Sequence, residues 1–178
     1  MDWEMKANLA NILTFSRMML AVPAVFFLLK DGPHYHLLAL LFFSAASVTD
    51  FLDGYAARVQ GTVSEFGGKL DPFADKVLVI SAMLGFAVLG QVPLWMVIVM
   101  IARDVVVTIL RSRSARKFAP GILAKSKTAL QMSAVVFLML MRWLGAGNGT
   151  FRGIIYPVML GVTVITVASG LEYVFRRS

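Results

Sequence analysis

Residues 37–57 read LLALLFFSAASVTDFLDGYAA, and residues 70–89 read LDPFADKVLVISAMLGFAVL. Each stretch is apolar over most of its length, and each is long enough to cross a bilayer as a helix, which takes about 20 residues. Each also carries two aspartates at one end: Asp50 and Asp53 close the first stretch, Asp71 and Asp75 open the second. A polar segment, Val59 to Lys69, joins them. Two antiparallel helices with a short connection pack as neighbours, so the two acidic ends are expected to meet.

The same hydropathy pattern recurs on either side. Candidate spans run over Ile12–Leu29, Pro93–Leu110, Ile122–Leu144 and Ile154–Phe175, giving six in all. Pro23 lies inside the first, where neighbouring helices can satisfy the freed carbonyl. The 178 residues are 58% hydrophobic with a mean hydropathy of +0.77, against roughly 45–50% apolar for soluble domains. The expected architecture is an all-α integral membrane protein of one domain, residues 1–178. Met1 to Lys6 mixes acids with a base, and the apolar run that follows has no small-residue cleavage site. No signal peptide is expected, and the first helix is retained.

Lys and Arg number 17 against 10 acids, for a net charge of +7. Fourteen of the 17 fall with the chain ends, with the loops after the second and fourth spans, or near them; Lys30, Arg142 and Arg152 fall on the other side. Cytoplasmic loops carry the excess of positive charge, so both termini are expected in the cytoplasm. The basic loop from Arg111 to Lys127 is a topology determinant and suits anionic headgroups; nucleic acid is not an expected partner. Cysteine is absent, which excludes disulfides, thiol catalysis and Cys-ligated metal.

Of the ten acids, five lie between Asp50 and Asp75. Asp50 and Asp53 are spaced i, i+3, and Asp71 and Asp75 i, i+4, so each pair shares a helix face. Helix capping explains acids at a helix start, but Asp50 and Asp53 lie near a helix end, where the macrodipole disfavours them. Four gathered carboxylates repel one another unless cations hold them. Oxygen-only ligands suit hard cations, Mg²⁺ or Mn²⁺, and His34 and His36 lie on the far side. Two such ions bound by carboxylates suit displacement at phosphorus. Gly54 and Ala57 leave open backbone beside the acids, and Arg58 offers a planar donor fork for phosphate.

The segment Asp50-x2-Asp53-Gly54-x2-Ala57-Arg58-x8-Gly67-x3-Asp71-x3-Asp75 resembles the signature of the CDP-alcohol phosphatidyltransferase family. The six-helix layout is similar as well. The resemblance implies that Asp50, Asp53, Asp71 and Asp75 hold two Mg²⁺ or Mn²⁺ ions, with Asp75 also acting as general base on an acceptor hydroxyl. It implies that Gly54, Ala57, Arg58, Ser64 and Thr14 contact CDP-diacylglycerol; Thr14 belongs to Asn11-Ile12-Leu13-Thr14-x2-Arg17, similar to the family's first-helix pattern. For Thr14, a bond to its own helix backbone is the alternative. Family members are often homodimers, so a second copy is an expected partner alongside membrane lipid. The implied location is a bacterial inner membrane, with the site facing the cytoplasm.

Arg103 lies about two turns, roughly 12 Å, inside the fourth span from Arg111. A guanidinium at that depth needs an anion. Either Asp104 supplies it, or Arg103, Arg111 and Lys125 form a pocket for a phosphate on the acceptor. Arg103-Asp104-x6-Arg111, Lys125-Ser126-Lys127-Thr128 and Ser169-Gly170-x2-Tyr173 resemble the branch of the family that makes phosphatidylglycerophosphate in bacteria, although Ala124 stands where that branch usually has Gly. This implies sn-glycerol 3-phosphate as acceptor, with Tyr173 lining the pocket or anchoring at the interface. Inositol phosphate or another alcohol is the alternative acceptor. A cation transporter is the rival from another class, but it would place its acids near the midplane, away from a residue such as Arg58.

Overall fold

The computed structural model describes residues 16–60, 67–112, 122–146, 149 and 151–175, with side chains described over 16–49, 76–110, 127–146 and 153–172. Among the described residues the chain is wholly helical, with no strand. Six α-helices follow in order: α1 over Ser16–Leu28, then α2 Pro33–Gln60, α3 Gly67–Val88, α4 Leu94–Ser112, α5 Ile122–Trp143 and α6 Tyr156–Phe175. A π-helical turn, Phe151–Ile155, leads into α6.

The six apolar stretches fall on these helices, with residues 12–15 of the first outside the described residues; the bounds differ by up to four residues, most at α2. α2 runs a turn beyond its apolar stretch at both ends, starting at Pro33 and ending at Gln60. Pro suits the first helical position because its missing N–H has no intrahelical partner there, and Arg58 and Gln60 are good helix formers that a hydropathy criterion leaves out. α3 and α5 close with the same device. Gly90 (φ 68°) and Gly145 (φ 75°) take the left-handed conformation. Gly90 N–H then bonds Ala87 O at 3.0 Å and Gln91 N–H bonds Phe86 O at 3.0 Å; Gly145 and Ala146 repeat this with Arg142 O and Met141 O. These paired bonds satisfy carbonyls that the last turn would otherwise leave open.

α2 packs chiefly on α5, α6 on α4 and α5, and α3 on α4 and α5. The core draws Leu28, Phe43, Phe86, Met96, Leu138 and Met159 from six different helices, all essentially without exposure. The polarity of the described part is inverted relative to a water-soluble bundle. Val22, Val88, Leu144 and Val164 are 58–78% exposed, while Arg17, Asp104, Lys127, Gln131, Arg142 and Thr166 are buried. Among the described residues one helical stretch, Gly153–Glu172, is long and apolar enough to cross a membrane by itself; Ser16–Leu28 and Lys76–Val88 are shorter apolar helices.

α3 approaches α1 closely at Gly85, where a Cβ would lie 2.9 Å from Leu28 Cδ2. Gly85→Leu is expected to lower stability by about 1–3 kcal/mol through overpacking, read as a fall in the thermal midpoint; Gly85→Ala is expected to do much less, because the Leu28 methyl can move aside.

Candidate active site

A cleft of about 200 Å³ lies between the middle of α3 (Lys76 to Met83), most of the length of α4 (Val97 to Thr108) and the N-terminal half of α5 (Lys127 to Gln131). Its inner wall is apolar, with Met83, Val97 and Met100; its polar part comprises Lys76, Arg103, Asp104, Thr108, Lys127 and Gln131. The helical period puts these groups together. Asp104 and Thr108 are one turn apart on α4, as are Lys127 and Gln131 on α5, so each pair projects from one face.

Asp104 is the centre of this arrangement. Its Oδ1 accepts a bond from Arg103 Nη1 at 3.0 Å and another from Lys127 Nζ. The Arg103 and Asp104 side chains are each 10% exposed and that of Lys127 8%, so these charges are held away from solvent and depend on one another. Arg103 Nη2 also donates to Ser169 Oγ on α6 at 2.8 Å, and Ser169 Oγ donates in turn to Thr166 O at 2.7 Å. At Gly170 a Cβ would meet Arg103 Cγ at 2.9 Å and Nε at 3.0 Å. A side chain at 170 would force the Arg103 stem to shift. Lys76 Nζ donates to Thr108 Oγ1 at 2.7 Å, and Thr108 Oγ1 to Asp104 O at 2.6 Å. Among the described side chains, three cations thus border the cleft with one carboxylate, against an apolar wall.

The pairing of Arg103 with Asp104, one of the two readings open in the sequence, is present, and Arg103 lines the cleft at the same time. The other sequence-derived positions are placed by their backbone. Asp50, Asp53, Gly54, Ala57 and Arg58 lie on α2, and Asp71 and Asp75 on α3, with Asp75 immediately before Lys76. Arg111 is on the last turn of α4, Lys125 on the first of α5 and Tyr173 on the last of α6. The side chains of all these residues, and Thr14 and Ser64 entirely, lie outside the described residues. Among the described residues no group of three or more His, Asp or Glu is placed to hold a metal ion. Lys76, Lys127, Thr108 and Gln131 were not singled out in the sequence as cleft residues. Their signal was the i, i+4 spacing of Asp104 with Thr108 and of Lys127 with Gln131, polar pairs on otherwise apolar helices.

The chain belongs to the CDP-alcohol phosphatidyltransferase family, whose model matches residues 7–168. It is 34% identical to a probable phosphatidylglycerophosphate synthase of Mycobacterium tuberculosis, over 96% of this chain and 81% of that protein. A CDP-diacylglycerol–glycerol-3-phosphate 3-phosphatidyltransferase of Bacillus subtilis is 40% identical over 79% of this chain and 74% of its own length. One of the same name from Rickettsia bellii is 35% identical over 94% and 90%.

Removing Asp104 would leave Arg103 and Lys127 facing each other without their shared carboxylate. Asp104→Ala is expected to cost about 3 kcal/mol of stability. A double-mutant cycle on Asp104 and Lys127, read from unfolding midpoints, is expected to return a coupling of about 1–3 kcal/mol.

Proposed function

We propose that this protein transfers the phosphatidyl group of CDP-diacylglycerol to sn-glycerol 3-phosphate, giving phosphatidylglycerophosphate and CMP. Two independent supports meet here. Relatives alike over most of their length carry that activity in their names. The observation that carries the acceptor is the cleft: Lys76, Arg103 and Lys127 around one end of an apolar-walled space, a set of donors suited to a phosphate dianion. Arg111 and Lys125, from the adjoining helix ends, would extend the same positive field, with Tyr173 at its margin.

The α2 and α3 backbones are helical at Asp50, Asp53, Asp71 and Asp75, which supports the one-face spacing of each pair. Four carboxylate donors fit hard divalent cations, and these residues would hold two Mg²⁺ or Mn²⁺ ions. When bound, such ions neutralise charge on the diphosphate and on departing CMP. The rest belongs to the chain itself. Gly54 and Ala57 leave room for the nucleotide, and Arg58, Ser64 and Thr14 contact it. Asp75 takes the proton from the C1 hydroxyl of the acceptor as its oxygen attacks the lipid-linked phosphorus. The bond from that phosphorus to the oxygen of CMP breaks, and CMP leaves with the electron pair.

The exposed apolar side chains of the described helices support a bilayer as the surrounding solvent, with all six helices spanning it. The distribution of Lys and Arg supports cytoplasmic termini and a cytoplasmic mouth, open to a soluble phosphorylated acceptor while the diacyl tails stay in lipid. The chain would then be a multi-pass protein of a bacterial cell membrane, working as a homodimer as family members often do.

The test is CMP release from CDP-diacylglycerol by detergent-purified protein, with glycerol 3-phosphate, inositol 1-phosphate, inositol, serine or no acceptor. Release is expected with glycerol 3-phosphate alone, to be lost with EDTA and restored by Mg²⁺. Asp75→Asn is expected to lower kcat by about 10²–10⁴-fold. Lys127→Ala is expected to raise KM for glycerol 3-phosphate by about 10-fold, the worth of one charge-assisted contact, with KM for CDP-diacylglycerol little changed. Release with inositol 1-phosphate instead would keep the family chemistry and overturn the acceptor.

A further inference from the structure

A pocket made only to hold a phosphate dianion needs cations and hydrogen-bond donors. Asp104 is neither, and a carboxylate beside a phosphate repels it. Its bonds to Arg103 and Lys127 explain part of its presence, yet both end on Oδ1, and neither engages Oδ2. The polar neighbours are committed elsewhere: Thr108 Oγ1 donates to the Asp104 backbone carbonyl at 2.6 Å, and Gln131 Nε2 to Thr166 Oγ1 at 3.4 Å. Asp104 nonetheless lines the cleft. Among the described side chains that line the cleft, it is the one charged group that accepts, beside Lys76, Arg103 and Lys127, which donate.

We propose that Asp104 Oδ2 accepts a hydrogen bond from the C2 hydroxyl of the acceptor, and so selects a polyol phosphate with a hydroxyl next to its phosphate-bearing carbon. This inference rests on the glycerol 3-phosphate reading above. In that molecule the C2 hydroxyl lies between the phosphate on C3 and the reacting hydroxyl on C1. Arg103 and Lys127, which would hold the phosphate, also hold the other oxygen of Asp104, so the carboxylate borders the phosphate. Asp75, which would meet the C1 hydroxyl, directly precedes Lys76 on the opposite wall. A hydroxyl between the two ends of the acceptor then falls beside Asp104. A bond from a hydroxyl to a carboxylate is among the stronger kinds, and a site built to bond a hydroxyl rejects an analogue that lacks it. Three contacts at three carbons also read handedness, which cations around a phosphate alone do not.

The test compares kcat/KM for sn-glycerol 3-phosphate, its enantiomer sn-glycerol 1-phosphate, and 3-hydroxypropyl phosphate, which lacks the C2 hydroxyl. Purified protein acts on CDP-diacylglycerol in mixed micelles with Mg²⁺. The wild type is expected to prefer sn-glycerol 3-phosphate to either analogue by at least about 10-fold, the discrimination of one hydrogen bond to a charged group. Asp104→Asn is expected to bring all three towards parity, with KM for CDP-diacylglycerol unchanged. If Asp104→Asn fails to fold, Asp104→Glu keeps the charge, displaces the carboxylate by one methylene, and is expected to erode the same preferences. Equal use of the three acceptors by the wild type would overturn the proposal, as would a folded variant that loses all three alike. Turnover with inositol 1-phosphate but not glycerol 3-phosphate would remove the acceptor reading and this inference together.

Discussion

Asp104 is the only acidic residue buried among the described side chains, and three helices are tied through it. It pairs with Arg103 on its own helix and with Lys127 on α5; Arg103 reaches Ser169 on α6. A lone carboxylate in an apolar interior would shed its charge by taking up a proton, and a lone guanidinium would have no such way out. Each therefore depends on the other remaining in place, and the helices that carry them are held to a narrow range of positions. The cleft is the space left beside this knot, so its shape and its charge have one origin.

The inverted polarity follows from the same constraint. In water, charged groups go outside because hydration rewards them. In this bundle the exterior is Val, Ile and Leu at high exposure, and the interior holds two arginines, a lysine, an aspartate and a glutamine. Burial of that many polar groups is tolerable only where partners are supplied from within. An exterior of apolar side chains has no such partners to offer, which leaves the interior as the place where charge can be put to use.

Much of this was legible in the sequence. The six apolar stretches mark the six helices, because length and hydropathy are properties of local segments. The spacing of Asp50, Asp53, Asp71 and Asp75 marks two helix faces for the same reason, and the family follows from the signature around them. The cleft was legible only in part. Arg103 announced itself as a charge at depth, but Lys76 and Lys127 read as ordinary basic residues at helix ends, where positive charge is common. Their membership in one site depends on how α3, α4 and α5 pack, and no local pattern encodes that. Gly170 is a sharper case. In the sequence it is one small residue in an apolar helix, and its role exists only through the side chain of a residue far away in the chain.

That contact makes two distant positions into one hereditary unit. While residue 103 is arginine, the carbon that any other amino acid would add at 170 falls on the arginine stem. Filling position 170 is easiest after 103 has become shorter, and arginine at 103 is easiest to regain while 170 is bare. Across descendants of this chain a side chain at 170 should therefore be rare wherever 103 is arginine, although all of α5 lies between the two positions.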